Sequence, residues 1–200
     1  MSEALTVACI ADAVLRIHAQ VDAMRDELNA ADRALGDGDT GMTVANVVSA
    51  WITAVQTPAD DVGAMLQRLG RETRRATGSS LGSVMAIGLT AAGKAAGASP
   101  VDRRMIVAML GNAADAIVER SGACAGDKTI LDSVLAVRDA MAEEKSALEA
   151  ASQALDDFRS REARVGRARM YGARSAGHDD PGMLAALLLL RAANEHHVAP

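Results

Sequence analysis

Three aspartates lie close together in the stretch from Ala30 to Thr43, where the sequence first indicates chemistry. Asp32, Asp37 and Asp39 fall within eight residues, and Gly36 and Gly38 lie between them. Like charges this close repel one another unless a cation lies between them, and glycine lets the chain turn so that oxygens converge. Hard carboxylate oxygens suit magnesium or calcium rather than zinc. The alternative interpretation is a polar turn with solvated acids.

A calcium-binding EF-hand is excluded by the residues that follow. Its loop needs a glutamate at the twelfth position. Counted from Asp32 this position is Thr43, and counted from Asp37 it is Val48. We call residues 32–41 the aspartate loop.

Two further loops combine small residues with possible phosphate donors. In the serine loop, residues 77–83, Ser79 and Ser80 precede an apolar segment. A helix that begins there offers free N–H groups and a positive dipole end to phosphate, although an ordinary serine N-cap fits equally. The lysine loop, residues 122–129, ends in Gly-Asp-Lys-Thr. We reject a Walker A loop there, because no strand and no full glycine pattern precede it.

The arginine loop, from Gly166 to Gly182, is the densest in functional side chains. It holds three arginines, the only tyrosine, a histidine, two acids and four glycines. A loop this long and this polar is rarely only a connector, and guanidinium groups bind phosphate through paired hydrogen bonds. The alternative is a solvated surface turn.

Composition excludes several classes of protein. Half of the residues are apolar, but Trp, Tyr and Phe occur once each, so the core must be aliphatic and an all-α fold is favoured. A formal net charge of −5, without a basic run or aromatic platform, argues against nucleic-acid binding. The N-terminus does not resemble a signal peptide, and the longest apolar run, Met183 to Leu190, is too short to cross a bilayer. We expect a cytoplasmic protein without a membrane partner, and we expect Cys9 and Cys124 to be buried thiols.

Apolar residues recur at helical spacing through most of the chain. The first predicted helix covers Thr6 to Asn29 and delivers Asp32 to its C-terminal end. The others are a second helix from Thr40 or Gly41 to Val55, a third capped by Asp60 or Asp61, a fourth after the serine loop, a fifth from Pro100 or Val101, a sixth capped by Thr129 or Asp127, a seventh from Ser146 to Val165, and a last from Met183 to about Glu195. We expect His196 and His197 to be a frayed tail rather than ligands.

Short loops between long helices imply antiparallel neighbours, so alternate loops lie at the same end. The aspartate, serine, lysine and arginine loops follow the first, third, fifth and seventh predicted helices. We therefore predict an all-α, eight-helix antiparallel bundle or barrel, a single domain over residues 1–200, with all four loops at one rim. Such a rim fits a metal–polyphosphate site, because phosphoryl transfer needs mainly positioning and charge neutralisation.

The motifs at this rim resemble a known family, the nucleotide-binding L subunit (DhaL) of dihydroxyacetone kinases. The resemblance covers nearly the whole chain. It rests on Leu28-Asn29-Ala-Ala-Asp32 with Gly36-Asp37-Gly38-Asp39-Thr40-Gly41, on Gly126-Asp127-Lys128-Thr129 with Leu131-Asp132, and on Gly166-Arg167-Ala168, Tyr171-Gly172-Ala-Arg174-Ser175-Ala-Gly177-His178 and Asp180-Pro181-Gly182.

The resemblance implies an eight-helix barrel that holds ADP or ATP and two magnesium ions at one rim. It implies that Asp32, Asp37 and Asp39 are the metal ligands and, with Arg174, the catalytic residues. The implied nucleotide-binding residues are Thr40, Thr43, Ser79, Ser80, Gly126, Ile130, Arg174, Asp180 and Gly182. It further implies a ketose-binding K subunit as partner, and a homodimer is expected. The chain would then be half of an enzyme.

The chain departs from the family pattern in ways that leave alternatives open. The family usually has His at the position of Thr40 and Asn at the position of Thr43, and the serine loop aligns only loosely. Asp-Gly-Asp-Thr-Gly also resembles the kinase domain of fatty-acid kinases. The acceptor could be another sugar, such as a tetrulose, and the phosphate could come from ATP or from a phosphotransferase relay. A non-enzymatic ADP-binding regulator and a purely structural helical module are the other classes.

Overall fold

The computed structural model of the chain describes residues 4–195, and helices form most of this range. Within it, nine α-helices and one 3₁₀ helix, η1, follow one another. They are α1 (Val7–Ala19), α2 (Val21–Leu35), α3 (Thr40–Val55), α4 (Val62–Ala76), α5 (Ser80–Ala96), α6 (Arg103–Ser121), α7 (Ile130–Ala142), α8 (Ala147–Arg159), η1 (Ala168–Ser175) and α9 (Pro181–Asn194). The expected all-α class is confirmed. His196 and His197 lie outside the described residues.

The predicted first helix is wrong in one respect, because it is two helices. Gln20, with φ −111° and ψ 4°, separates α1 from α2, and Asp32 lies inside the last turn of α2 rather than beyond it. The break contains neither Pro nor Gly, and apolar residues keep their helical spacing across it. The sequence therefore gives no local sign of the break. With α1 and α2 counted together as the first, the eight predicted helices correspond to those observed.

Sequential helices pack side by side, which produces the expected antiparallel arrangement. Each of the pairs α2–α3, α3–α4, α4–α5, α5–α6, α6–α7 and α7–α8 is in contact. The apolar helix α9 packs against α7, α8, α1, α2 and α3 and closes the ring. The main core is aliphatic, as composition predicts, apart from Trp51, whose indole N–H donates to the hydroxyl of buried Thr73 at 2.8 Å. None of the helices between residues 4 and 195 has the length and apolar character needed to cross a bilayer.

Several predicted boundaries and one prediction of burial need correction. Helix α6 begins at Arg103 rather than at Pro100 or Val101, because Asp102 caps it and Val101 forms an isolated antiparallel bridge with Leu5. Helix α8 ends at Arg159 rather than at Val165. The carbonyl oxygens of Arg159 and Arg161, which a longer helix would use, instead accept hydrogen bonds from the side chain of buried Lys128. Cys9 and Cys124 are exposed, not buried.

Helices α4 and α5 meet through glycines, along a contact that we call the glycine seam. A Cβ atom at Gly63 would lie 2.4 Å from the carbonyl oxygen of Gly97, and one at Gly93 would lie 2.6 Å from the carbonyl oxygen of Gly63. At Gly70 a Cβ would lie 2.5 Å from the Thr90 hydroxyl oxygen. The two backbones therefore approach as closely as they do only because side chains are absent.

Candidate functional site

The aspartate loop is held by side chains of the helix that precedes it. Asp32 is only 7% exposed, and its Oδ2 accepts hydrogen bonds from the backbone N–H groups of Asp39 at 2.9 Å and Thr40 at 3.2 Å. Asn29 Oδ1 accepts from the N–H of Gly41 at 2.8 Å. Asp39, the N-cap residue of α3, makes no capping bond with its own side chain. Helix α2 thus caps α3, which leaves the Asp39 carboxylate available for other contacts.

Glycines make the turn between α2 and α3 possible. A Cβ at Gly36 would lie 2.3 Å from Asp32 Oδ1, so a side chain there would displace the carboxylate. Gly38 has φ +79°, a left-handed conformation that other residues adopt at a cost. The turn therefore depends on both glycines.

The three aspartates meet as the sequence predicts. Asp32, Asp37 and Asp39 each offer a carboxylate oxygen, and these oxygens all lie within 4.8 Å of one another. Desolvation, together with the hydrogen bond and charge of Asp37, raises the pKa of Asp39. Desolvation alone would raise the pKa of Asp37 too, but its hydrogen bonds with Arg167 and Asp39, a backbone hydrogen bond and the charge of Arg167 together outweigh this and lower the pKa. The cluster thus has an excess of negative charge that one guanidinium group does not remove.

The arginine loop lies directly against the aspartate loop. Arg167 forms an ion pair with Asp37. A small apolar cluster of Leu35, Ala163 and Ala168, with Tyr171 packed against it, joins the end of α2 to η1. The guanidinium carbon of Arg174 lies 5.6 Å from the centre of the Tyr171 ring. The long loop is therefore a folded part of the rim rather than a solvated turn.

The lysine loop is fixed by a capping box at the start of α7. Thr129 caps the helix, and the Asp132 carboxylate accepts from the N–H of Thr129 at 2.8 Å and of Gly126 at 2.6 Å. Lys128 is 1% exposed, and its Nζ donates to three backbone carbonyls. Rejection of a Walker A loop is thereby supported, because this ammonium faces protein rather than an open phosphate site.

The start of α9 lies beside the start of α7. A Cβ at Gly182 would lie 3.5 Å from Ile130 Cβ and 3.0 Å from Asp180 Oδ1. Asp180 caps α9 by accepting from the N–H of Met183 at 2.8 Å. Although the residue as a whole is only half-buried, burial of its carboxyl group raises the pKa to about 6. The structure therefore brings the predicted residues Ile130, Asp180 and Gly182 together.

The remaining predicted residues lie where their helices begin. Thr40 is the first residue of α3, and Thr43 is buried one turn later. Ser79 caps α5 by accepting from the N–H of Gly82 at 3.0 Å, and Ser80 is the first residue of that helix. Among the described residues, no hydrogen bond joins Ser79 or Ser80 to the aspartate or arginine loop, so their part in a common site stays a prediction.

Sequence reasoning missed three residues that organise the rim. Asn29 caps α3 from another helix, Arg167 pairs with Asp37, and Lys128 is a buried donor rather than a loop cation. All three stand within the motifs that carry the family resemblance. Their partners, however, become neighbours only through folding.

Comparison with known proteins gives a consistent result. Residues 34–195 match the DAK2 domain. The chain is 32% identical over 198 residues to L-erythrulose 1-kinase of Mycolicibacterium smegmatis, and this alignment covers 92% of this chain and 35% of that protein. It is 28% identical over 177 residues to the ADP-binding subunit DhaL of the PEP-dependent dihydroxyacetone kinase of Escherichia coli, with 82% of this chain and 84% of that subunit covered.

A solved structure shares the fold. The dihydroxyacetone kinase of C. freundii, in complex with AMP-PNP and Mg²⁺, matches with a TM-score of 0.72 at 25% identity, over 92% of this chain and 33% of that one. The chain spans about a third of the length of this kinase and of the erythrulose kinase. The resemblance to the DhaL subunit is thus confirmed, and because the family model matches residues 34–195, most of its length, the chain belongs to the DAK2 domain family.

Proposed function

We propose that this chain is the nucleotide-binding domain of a cytoplasmic kinase that phosphorylates a short ketose. The observation that carries the proposal is the cluster of three carboxylate oxygens within 4.8 Å, next to the guanidinium group of Arg167. The family match gives this cluster a context, since relatives are named as kinases and two of them are named ADP-binding subunits.

The donor set of the cluster fits magnesium. All three candidate ligands are carboxylates, and one oxygen of Asp32 is held by backbone donors while Asp37 and Asp39 repel each other. Hard, negatively charged oxygens are what Mg²⁺ binds in phosphoryl-transfer sites. In this proposal Asp32, Asp37 and Asp39 hold two Mg²⁺ ions, which supply neutralisation of phosphate charge when bound. The complex of the C. freundii kinase with AMP-PNP and Mg²⁺ supports the choice of ions.

We propose that the nucleotide lies across the starts of four helices. Thr40 and Thr43 are at the start of α3, Ser79 and Ser80 at that of α5, Gly126 and Ile130 around that of α7, and Asp180 and Gly182 at that of α9. Helix N-termini offer N–H groups and a positive dipole end to phosphate. Arg174, exposed on η1 beside Tyr171, is proposed to bind polyphosphate through its planar fork of donors.

The acceptor ketose is proposed to be held by a separate K subunit or domain. The E. coli relative is named as a subunit. The L-erythrulose 1-kinase is about three times as long as the part of it that this chain matches. These names favour a three- or four-carbon ketose over a fatty-acid-kinase-like system or a non-enzymatic ADP-binding regulator. Two alternative phosphate donors are proposed. The AMP-PNP complex of the C. freundii kinase supports ATP, and the name PEP-dependent of the E. coli relative supports a phosphotransferase relay. The active form is proposed to be a homodimer bound to its K partner.

Calorimetry of the chain with ADP tests the nucleotide site. We expect binding with Mg²⁺ and none with EDTA, because three carboxylates repel polyphosphate unless a metal bridges them. D37N and D39N should lose binding and the rise in melting temperature that Mg–ADP gives the wild type. R174A should weaken binding by about 1.5–3 kcal/mol, the value of a lost charged hydrogen bond. The matched control for D37N and D39N is D115N, the same change at an exposed position of α6.

Transfer requires a second assay. The chain co-purified with its native partner should phosphorylate one member of a panel that contains dihydroxyacetone and erythrulose, whereas the pure chain should not act on free ketose. Equal ADP affinity with and without metal would overturn the proposed site. Nucleotide binding without transfer by the complex would instead favour the regulator.

A further inference from the structure

Lys128 is a buried ammonium group whose hydrogen bonds are all made to backbone. It is 1% exposed and adopts φ +63°, a left-handed conformation unusual for a residue with a side chain. Its Nζ donates to the carbonyl oxygens of Arg159 at 3.1 Å, Arg161 at 2.8 Å and Ser175 at 2.9 Å. A lysine ammonium has three N–H donors, so none is left for a phosphate.

The three carbonyls belong to the two ends of one segment. Arg159 is the last residue of α8, Arg161 lies just beyond it, and Ser175 is the last residue of η1. Everything between them, including Arg167 and Arg174, forms a loop whose two ends Lys128 holds together. The side chain thus joins the start of α7 to both ends of the segment 159–175, which carries the three arginines of the arginine loop.

Neighbouring hydrogen bonds strengthen the same base. The Ser175 hydroxyl accepts from the N–H of Ala163 at 2.9 Å and donates to the carbonyl of Gly172 at 2.6 Å. The N–H of Arg164 donates to the carbonyl of Asp127 at 3.1 Å, next to Lys128 in the chain. These bonds involve the same parts of the chain that Lys128 contacts, so the ammonium belongs to a polar network rather than forming an isolated contact.

A buried charge bonded only to neutral carbonyls is an expensive way to stabilise a fold. Burial lowers the pKa of Lys128, and the negative charges of Asp180 and Asp179 offset part of this effect. Buried ionic groups contribute little net stability compared with well-packed apolar residues, but they fix geometry, because leaving one partner unmatched is costly. Unlike a leucine or methionine at this position, Lys128 fixes the position of Ser175 through a hydrogen bond, and therefore also the position of Arg174, its neighbour in the chain.

We propose that Lys128 is a positioning residue, which holds the arginine loop on the rim so that Arg167 and Arg174 face the bound polyphosphate. The inference rests on the proposed function, since it names how that site is kept in place. Lys128 itself touches neither nucleotide nor metal. It acts through the backbone that carries the two guanidinium groups.

The K128M variant tests this role, because methionine keeps much of the volume and removes all three donors. We expect the affinity for Mg–ADP in calorimetry to fall by about tenfold or more, the size expected from loss of a charged hydrogen bond. Binding of Mn²⁺ without nucleotide, followed by electron paramagnetic resonance, should stay within about twofold or become tighter, since Arg167 is no longer held at Asp37. Trypsin should cleave faster after Arg167, Arg169 and Arg174.

A double-mutant cycle separates positioning from general destabilisation. In an R167A/R174A background, K128M should change Mg–ADP affinity by less than about twofold, because the groups it positions are already gone. The matched control is M65A, which truncates a fully buried residue of α4. M65A should lower the melting temperature without changing Mg–ADP affinity or the rate of tryptic cleavage in the arginine loop under native conditions.

The outcomes that contradict the proposal are distinct. Wild-type affinity in K128M, or an equal loss of affinity in the wild-type and R167A/R174A backgrounds, would remove the positioning role and leave the proposed function intact. Failure of the wild type to bind Mg–ADP would overturn the proposed function and the inference together. If K128M does not fold, K128Q, which retains an amide donor, is subjected to the same measurements and the same criteria.

Discussion

The glycine seam and the rim are both closely packed, but they are specified in opposite ways. Along the seam, α4 and α5 meet through Gly63, Gly70 and Gly93, where an added Cβ would clash. At the rim, Asp32, Asp132 and Lys128 are buried and their charges are matched by backbone groups. The seam leaves no space for side-chain atoms between the two helices, whereas at the rim each buried charge is paired with backbone hydrogen-bond donors or acceptors. The two regions should therefore respond to different perturbations, the seam to volume and the rim to charge, metal and pH.

The largest expected effect on folding is at the seam. G63A places a Cβ 2.4 Å from the carbonyl oxygen of Gly97, just beyond α5, and 2.7 Å from that of Gly93 within it. The helices must therefore separate, and such overpacking costs about 1–3 kcal/mol. G88A is the matched control, because its Cβ would lie at an ordinary 3.5 Å from Ile117 Cδ1, and alanine is the better helix former by about 0.5–1 kcal/mol. Urea denaturation should show G63A destabilised and G88A unchanged or stabilised. Equal effects of the two variants would remove the steric account of the seam.

An intermediate effect is expected at Asp180, and it depends on pH. Its pKa is raised from 3.8 to about 6 by burial, with Lys128 lowering and Asp132 raising it. The folded state therefore binds this proton more tightly than the unfolded state, so the contribution to stability is present below pH 4 and is lost as pH rises through 6. The shift corresponds to about 3 kcal/mol, which partial exposure reduces to roughly 1–2 kcal/mol.

D180N isolates this term, because asparagine is also a good N-cap. The melting temperature of D180N minus that of the wild type should increase between pH 4 and pH 6 and then level off. Taking the difference cancels the titration of other groups that both proteins share. A difference independent of pH would show that the Asp180 carboxyl group is as well solvated as an ordinary surface acid.

The smallest expected effect is at Asn29, where the rim depends on a single neutral hydrogen bond. N29A removes the acceptor of the Gly41 N–H and should destabilise the protein by about 1 kcal/mol, as loss of a helix cap does. Mn²⁺ affinity should fall as well, since the start of α3 positions Asp39. N46A, at an exposed site on α3, is the matched control. If N29A binds Mn²⁺ as tightly as the wild type does, Asn29 contributes to the stability of the fold but not to metal binding.

The sequence was sufficient to predict what depends on neighbours in the chain. Apolar spacing predicted the helices, and Asp61, Ser79 and Thr129 were among the residues proposed for caps that the structure confirms. The meeting of the three aspartates was also predictable, because a short glycine-rich turn between helices brings them together.

What the sequence could not reveal depends on contacts across the fold. Lys128 reaches carbonyls 31, 33 and 47 residues away, and nothing local distinguishes it from a surface lysine. The same bonds explain why α8 stops at Arg159 although helical spacing continues beyond it. The break at Gln20 was hidden for a related reason, since each half of the predicted helix keeps an apolar stripe of its own.

The two oxygens of Asp32 have consequences for which residues evolution could accept at that position. One oxygen, Oδ2, accepts from the N–H groups that begin α3, and the other, Oδ1, lies against Gly36. The carboxylate also lies beside those of Asp37 and Asp39 in the cluster proposed to hold metal. Asparagine would keep one acceptor but replace the second with a donor, and glutamate would carry its carboxylate one methylene too far for the turn. Folding and the proposed ion binding therefore call for the same side chain at this position, and a lineage that no longer needed the ion would still have reason to retain the aspartate.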